Sequence, residues 1–408
     1  MNLNYWKLLE KYPNYIGFGA LHYFYSSFGQ TFLISLFVPN VLESFQLDNA
    51  EFSYFYSGAT LLGAVGIAHF GPYADKMDIR KFSIINGLGL AIFCLLMANT
   101  FNKWTLCAAL IGVRLTGQGL MPLIGATSMG RFFSQNRGKA LSLSSSSMSL
   151  AEMVTPYIVF LMIQSLGWKY TWMAFSVFIA FTFIPAVYKV VEGHDEFRLP
   201  KQNKNKNLVG TSITKKELFS DYRFITLALI IIFCPFVTTG VFIHQNLILQ
   251  AKGWDEAWFA FTFVGFGTFR ICTTFFAGPI IDKFSAGKLV VFILFPVISG
   301  LLIMDWIDHK FALFYYMCMN GMTLSFGSLV GSALWAEIYG GEHLGKVKST
   351  VSTMMIFATA ISPVIFGIIF ENHFNTRIGI SILSLLGITL AIIGQVSLKS
   401  IKPATHKA

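Results

Sequence analysis

Twelve apolar runs, each long enough to cross a bilayer as an α-helix, extend along almost the whole sequence. A spanning helix needs roughly 20 mostly apolar residues. The runs lie at about 15–42, 51–70, 82–99, 104–130, 140–165, 170–190, 222–248, 256–276, 288–304, 311–338, 349–371 and 377–397. Most of the connections between them are short, so the pattern predicts a polytopic membrane protein in which all secondary structure is helical.

The composition excludes an ordinary soluble domain. Only 12% of the 408 residues are charged, whereas a soluble domain carries about 25%. The net charge of +10 does not indicate nucleic-acid binding, because the basic residues do not cluster on one face. They lie between the apolar runs, where they indicate on which side of the membrane each loop lies.

The distribution of lysine and arginine predicts the orientation. With the N-terminus in the cytoplasm, 23 of the 30 basic residues fall in cytoplasmic segments and five on the other side. The remaining two, Arg114 and Arg270, lie inside apolar runs. This asymmetry predicts an integral protein of a bacterial inner (plasma) membrane with both termini cytoplasmic.

The chain contains an internal repeat. The segment GPYADKMDIRK begins at Gly71 and GPIIDKFSAGK begins at Gly278, an offset of 207 residues. The same offset relates Asp48 to Asp255, Gly58 to Gly265, Gly138-Lys139 to Gly345-Lys346, and Pro156 to Pro363. We therefore predict two pseudo-symmetric six-helix bundles, 1–190 and 222–408, joined by a polar cytoplasmic linker at 191–221. Repeated halves of this kind are typical of secondary transporters.

The repeated loop segment resembles the motif G-x-x-x-D-[RK]-x-G-[RK]-[RK] of the major facilitator superfamily. Gly71, Asp75, Lys76 and Arg80 fit the first copy, and the second keeps Gly278, Asp282 and Lys283. The resemblance implies the major facilitator fold and a latch that closes the cytoplasmic side. The basic residues also suit simple positive-inside anchoring. Asp78 stands where the family prefers glycine, so this loop is expected to turn differently.

Four further segments narrow the resemblance. They are RLTGQG from Arg114, AEMVTP from Ala151, GVFIHQ from Gly240 and ALWAEIYG from Ala333. They are similar to bacterial relatives of the monocarboxylate and oxalate/formate transporters. The resemblance implies a small organic anion as substrate.

Three charged residues are predicted to lie deep in the membrane: Arg114, Glu152 and Arg270. A charge at this depth costs at least about 2.5–3.5 kcal/mol, so it is usually paired or functional. Counting residues from the cytoplasmic ends of their antiparallel helices puts Arg114 and Glu152 at the same level, and we expect them to form an ion pair. In one interpretation Glu152 takes up a proton and frees Arg114 for substrate. In the other the pair is permanent and structural.

Arg270 has no evident acid at its level in the sequence. An arginine that faces a cavity suits a planar carboxylate through two parallel hydrogen bonds. The resemblance implies the same role, because carboxylate transporters of this group bind substrate through an arginine of the eighth helix. Theirs lies four residues before the motif glycine, where this chain has Thr274. A structural arginine bonded to helix carbonyls is the alternative.

Two uncharged polar residues also interrupt apolar runs. His244 breaks the seventh run and Gln30 the first. Either side chain is a candidate substrate contact, and His244 could also relay a proton. A histidine held by ordinary hydrogen bonds is the alternative for His244.

The sequence contains no enzymatic constellation. It has no P-loop, no dinucleotide-binding glycine loop and no cluster of metal ligands, and its five cysteines lie within apolar stretches without metal-ligand spacing. We therefore predict a protein that is not an enzyme, that needs no cofactor and that draws energy from an ion gradient.

These observations predict a monomeric, proton-coupled carrier of a small organic anion that works by alternating access. One alternative is an exporter of drugs or of cationic or neutral metabolites by proton antiport, which would expose an unpaired acid to the pathway. A second is a membrane sensor built on the same scaffold. Flux in reconstituted vesicles would separate the sensor from the two transporters.

Overall fold

The computed structural model describes residues 4–133, 136–192, 214–371 and 376–399. Throughout these ranges the secondary structure is helical, and no strand occurs in them. The chain divides into two compact units, Met1–Asn203 and Lys204–Ala408.

The first unit contains six long helices, preceded by a short helix at Tyr5–Lys11. The first of the six, α1, consists of five consecutive pieces: Pro13–Tyr25, Ser26–Gly29, Thr31–Ile34, Ser35–Phe37 and Val38–Phe45. The others are α2 (Asn49–Phe70), α3 (Ile79–Ala98), α4 (Lys103–Phe132), α5 (Arg137–Leu166) and α6 (Trp168–Val191).

Side chains at the loop ends determine where several of these helices begin. Asp48 and Glu51 form a reciprocal capping box at the start of α2. Asn102 and Thr105 do the same for α4, and the Asp78 carboxylate accepts a hydrogen bond from the Arg80 amide at the start of α3. Each cap satisfies backbone N–H groups that have no partner inside the helix.

The second unit also contains six long helices. They are α7 (Tyr222–Ile243), which is followed by a short helix at Gln245–Lys252, α8 (Glu256–Phe284), α9 (Ala286–Trp306), α10 and α11, and α12 (Thr376–Lys399). α10 and α11 both lie in the stretch Phe311–Glu371 and are separated by Gly340, whose φ of 73° interrupts the helix. Such a left-handed conformation suits glycine because glycine has no Cβ.

Helices therefore occupy all twelve predicted apolar runs. Nine of them, α3 to α9 with α11 and α12, are long and apolar enough to cross a membrane on length and hydropathy within the described ranges. The other three are α1, α2 and α10. In the first unit α1 packs against α4 and α5, and in the second α9 packs against α12.

Candidate functional site

The helix α1 is broken near its middle. The Ser26–Gly29 turn ends at Gln30, which has an extended backbone with φ −81° and ψ 152°. A new helical piece begins at Thr31. Broken backbone at membrane depth is tolerated only where it is buried in protein or lines a cavity. Transporters use such discontinuous helices to hold substrates and ions.

The fourth helix is irregular at the same place. Its segment Arg114–Leu120 is wound as a π-helix, a rare conformation that is often found at functional sites. Gly29 and Gly117 bring the two irregular segments into backbone contact. A Cβ added to Gly29 would lie 2.2 Å from the Val113 carbonyl oxygen and 2.7 Å from the Gly117 Cα. Only glycine allows an approach this close.

Arg114 joins these two segments. Its side chain is buried, with 1% exposure, and its Nη1 donates to the Gly29 carbonyl at 3.3 Å and to Thr31 Oγ1 at 3.2 Å. The guanidinium carbon lies 4.7 Å from the centre of the Tyr56 ring on α2. The Tyr56 hydroxyl is 2.7 Å from Thr31 Oγ1. The guanidinium is therefore held by α1 and α2 and by the negative end of the first helical piece.

The guanidinium also has unused hydrogen-bonding capacity. Its Nε and Nη2 are buried and have no hydrogen-bond acceptor of normal geometry among the described residues. A buried donor without a partner costs about 1–3 kcal/mol, and more when it is charged. The arrangement therefore favours an additional acceptor beside Arg114, of the kind that an anion or an ordered water supplies.

The predicted ion pair between Arg114 and Glu152 is not formed. The partners that the structure gives Arg114 are Gly29, Thr31 and Tyr56, and Glu152 is not among them. Glu152 lies on α5 and is buried, with 2% exposure. Counting residues from the helix ends predicts how deep in the membrane each side chain lies. It does not predict the direction in which the side chain points from the helix axis.

The second unit has an uncharged counterpart of the Arg114 contact. Thr238 on α7 is the residue that the offset of 207 relates to Thr31, and its hydroxyl bonds Asn320 Oδ1 on α10 at 2.7 Å. Asn320 is adjacent to Gly321, the position that the offset relates to Arg114. The first helix of each unit is thus bonded to the fourth through an equivalent threonine.

Arg270 lies on α8 one turn beyond Phe266, whose carbonyl oxygen packs against Gly321, the neighbour of Asn320. Its side chain is partly buried on α8, and its guanidinium carbon is 6.0 Å from the centre of the Phe266 ring. The Cys234 sulfur of α7 lies 3.4 Å from the Asn320 Oδ1 of the second-unit contact. Thr274, one turn further along α8, bonds Ser325 Oγ at 2.6 Å.

In each unit the second and fourth helices pack closely together, and one of the two carries a predicted membrane arginine. It is the fourth helix in the first unit and the second helix in the second unit. In the first unit Arg114 is on the fourth helix, and Gly63 of the second helix packs against it: a Cβ on Gly63 would lie 3.4 Å from the Arg114 Cβ. In the second unit the glycine is Gly321, on the fourth helix, and a Cβ there would lie 2.2 Å from the Phe266 carbonyl oxygen. The arginine, Arg270, is then on the second helix, one turn beyond Phe266.

His244 and Gln30 have different surroundings. His244 is fully buried at the end of α7, and its Nε2 donates to the Pro363 carbonyl of α11 at 2.8 Å. Its ring is parallel to Phe366 at 6.5 Å. Gln30 is half-buried at the break in α1. His244 thus has a contact that stabilises the end of α7, while Gln30 lies beside the Arg114 contacts.

The first loop motif is tied to the end of α4. Arg131 Nη2 lies 3.5 Å from the Asp75 carboxylate and also donates to the Ala74 carbonyl. A Cβ on Gly71 would come 3.0 Å from the Leu123 side chain of α4. Asp75 is 76% exposed, and exposed ion pairs contribute about 0–1 kcal/mol. The Asp75–Arg131 ion pair therefore contributes little to the attachment of the loop to α4.

Two other basic residues of this motif have different surroundings. Lys76 is exposed at the end of the short helix Tyr73–Lys76. Arg80 pairs with Asp78 of its own loop at 2.8 Å. Asp78, which stands where the family pattern has glycine, thus caps α3 and also forms an ion pair with Arg80.

The second loop motif is built differently. α8 continues through Gly278 to Phe284, and a Cβ on Gly278 would meet no atom within 4 Å. Lys283 is exposed, with its Nζ 5.3 Å from the centre of the Phe284 ring. The side chain of Asp282 lies outside the described part of the structure. The connection to α9 is instead held by Glu337 of α10, which accepts hydrogen bonds from the Ala286 and Gly287 amides at 2.8 and 3.0 Å.

Several residues at the Arg114 site and at the equivalent contact of the second unit had not been predicted. Thr31, Tyr56, Thr238 and Asn320 are uncharged, so no search for buried charge selects them. The internal repeat carried one usable signal, since Thr31 and Thr238 are equivalent. In the described ranges no three His, Cys, Asp or Glu side chains converge as a metal site would need.

The comparisons agree on one architecture. The family model described as Major Facilitator Superfamily matches residues 19–269 and 225–408. A bacterial homologue of the human lysosomal transporter Spinster, inward-facing and occupied, superposes with a TM-score of 0.71 at 14% identity over 96% of this chain and 97% of that one.

The nucleoside transporter NupG gives a TM-score of 0.69 at 13% identity over 95% of this chain and 99% of that one. A search of curated protein sequences gave no significant match. At these identities the two structures are informative about the fold alone.

Proposed function

Because the chain belongs to the Major Facilitator Superfamily, we propose that it is a proton-coupled carrier of a small, monocarboxylate-like organic anion. It works by alternating access in the inner membrane, as a monomer with both termini cytoplasmic. The observation that carries the proposal is Arg114, a buried cation at the break in α1 whose Nε and Nη2 have no acceptor of normal geometry among the described residues. A carboxylate supplies two acceptors in one plane, which suits a guanidinium.

Arg270 is the proposed substrate contact of the second unit. Its side chain is partly buried on α8, with the guanidinium carbon 6.0 Å from the centre of the Phe266 ring. Arg114, Arg270 and Glu152 are the three charged residues predicted to lie deep in the membrane, and together they carry a net positive charge. That balance favours an anion over a cation. His244 and Gln30 remain proposed contacts, and Gln30 has the more suitable position because it adjoins the broken backbone of α1.

Changing Arg270 to lysine tests the second-unit contact. Lysine keeps the charge but loses the planar fork, so we expect uptake to fall at least about tenfold, mainly through a higher KM. Uptake of a panel of mono- and dicarboxylates into proteoliposomes measures the effect. Lys288→Arg, a conservative change at an exposed site, is the matched control. Normal uptake by the Arg270→Lys protein would exclude bidentate binding there.

Glu152 is the proposed proton site. It is a buried acid on α5, and buried acids in membrane helices commonly carry protons. We expect Glu152→Gln to lose uptake driven by a pH gradient by at least about tenfold, while substrate counterflow stays within about twofold of wild type. Counterflow needs no net proton movement, so the two assays separate coupling from binding. Equal loss in both assays would assign Glu152 to binding or folding.

One observation favours a second candidate, the proton-antiport exporter of cationic or neutral compounds. Because Arg114 does not contact Glu152, the arginine does not neutralise this acid, although both interpretations of the predicted pair assumed that it does. A thermal-shift screen of the purified protein against carboxylates, amino acids and cationic drugs separates the candidates. Stabilisation by a cation and by no anion would replace the anion proposal with the exporter.

A further inference from the structure

A groove of about 500 Å³ lies between the end of α9 and the start of α12, and neither Arg114 nor Arg270 is among the residues that line it. It is lined by Asp305, Trp306, Arg377, Ile378, Ser381, Ile382 and Leu385. All of these residues belong to the second unit. We call it the α9–α12 groove.

One end of the groove is polar, and one hydrogen-bond acceptor there has no donor among the described residues. Asp305 is 3% exposed, and its Oδ2 accepts a hydrogen bond from Ser381 at 2.7 Å. Lys252 donates to the Asp305 backbone carbonyl at 2.8 Å. The second carboxyl oxygen, Oδ1, has no hydrogen-bond partner in the part of the chain that the structure describes. A buried acceptor of this kind calls for a donor.

The nearby bases are already engaged by a different acid. Arg377 Nη2 donates to both carboxyl oxygens of Asp308, at 2.9 and 3.1 Å, and the Lys252 ammonium donates to the same carboxylate at 2.7 Å. These hydrogen bonds lower the pKa of the Asp308 carboxyl. Asp308 therefore holds both bases at the rim, and the Arg377 side chain, 52% exposed, keeps positive charge at the mouth of the groove.

The other end of the groove is an apolar stripe. Ile378, Ile382 and Leu385 follow one face of α12 and are 48%, 45% and 65% exposed. Trp306 is 79% exposed at the polar end. The indole groups of Trp254 and Trp258 donate to loop carbonyls at the same level. Tryptophans of this kind mark the membrane–water interface, so the polar end lies at head-group depth and the stripe faces acyl chains.

We propose that the α9–α12 groove binds one phospholipid whose head group carries a primary ammonium, as in phosphatidylethanolamine. The ammonium donates to Asp305 Oδ1, the phosphate lies beside Arg377, and an acyl chain follows the stripe on α12. A choline head group has no N–H to donate. A phosphatidylglycerol head group offers only neutral hydroxyls and adds no cation opposite the carboxylate.

Native mass spectrometry of the full-length protein titrated with defined lipids tests the proposal. We expect one phosphatidylethanolamine to bind about tenfold more tightly than phosphatidylcholine or phosphatidylglycerol, the size of one charge-assisted hydrogen bond. Asp305→Asn should remove this preference. Arg377→Gln should weaken binding of all three lipids, because each carries a phosphate, and leave the preference unchanged. Glu43→Gln, at an exposed acid near the end of α1, is the matched control and should behave as wild type.

A second measurement needs no variant. Successive N-methylation of phosphatidylethanolamine removes one N–H at a time, and binding to the wild-type protein should weaken along the series. Equal binding across the series, or a preference that survives in Asp305→Asn, would overturn the proposal.

Discussion

Replacing Arg114 with glutamine is expected to reduce uptake at least about 100-fold, the equivalent of about 2.7 kcal/mol. The guanidinium bonds the broken backbone of α1 through Gly29 and Thr31, and its Nε and Nη2 have no acceptor of normal geometry in the part of the chain that the structure describes. Glutamine removes the charge and the planar fork together, so both an anionic substrate and the α1 break lose their partner. Uptake into proteoliposomes, measured beside the thermal unfolding of the same preparation, gives the result.

Two controls separate charge from geometry. Arg114→Lys keeps the charge and is expected to retain more uptake than the glutamine variant, though less than wild type, because one ammonium cannot replace the fork. Lys103→Gln removes a positive charge from an exposed site on the same helix and should leave uptake unchanged. Wild-type uptake by Arg114→Gln would remove Arg114 from the substrate path.

Replacing Gly29 with alanine is expected to destabilise the protein by at least about 3 kcal/mol, at the upper end of overpacking costs. The new methyl group would lie 2.2 Å from the Val113 carbonyl oxygen and 2.6 Å from the Gln118 amide nitrogen. Both are backbone atoms, so no side chain can move aside to relieve the contact. Unfolding of the purified protein by heat and by denaturant, in one detergent, measures the change.

Gly17→Ala is the matched control for Gly29→Ala. Gly17 lies in the first piece of the same helix, and a Cβ there would meet no atom within 4 Å. Alanine is a better helix former than glycine by up to about 1 kcal/mol, so stability should be kept or slightly raised. If the two variants unfold alike, α1 and α4 do not approach each other as closely as the structure has them.

The helical architecture was predictable because it follows from a pattern of hydropathy. Spanning helices need long apolar runs, and the runs, the repeat and the loop motif all predicted the family fold, which is confirmed. The narrower monocarboxylate branch and the transported substrate stay proposals. They depend on a few side chains rather than on the repeat.

The site was only partly predictable for a geometric reason. Depth counting puts Arg114 and Glu152 at one level, but each residue of an α-helix also turns the side chain by about 100°. The π-helical segment that begins at Arg114 alters that turn locally. The predicted ion pair was therefore wrong. Gln30 was visible in the sequence as a polar residue, whereas the break in the backbone at that residue was not.

The contacts of Arg114 also bear on how the protein enters the membrane during synthesis. Its partners Gly29, Thr31 and Tyr56 all precede it in the chain. When α4 leaves the ribosome with a charge that costs about 2.5–3.5 kcal/mol to insert, those partners have already been made. His244 is in the opposite position, since its partner Pro363 is synthesised 119 residues later. Biogenesis of the first half can therefore bury its arginine without waiting for the second.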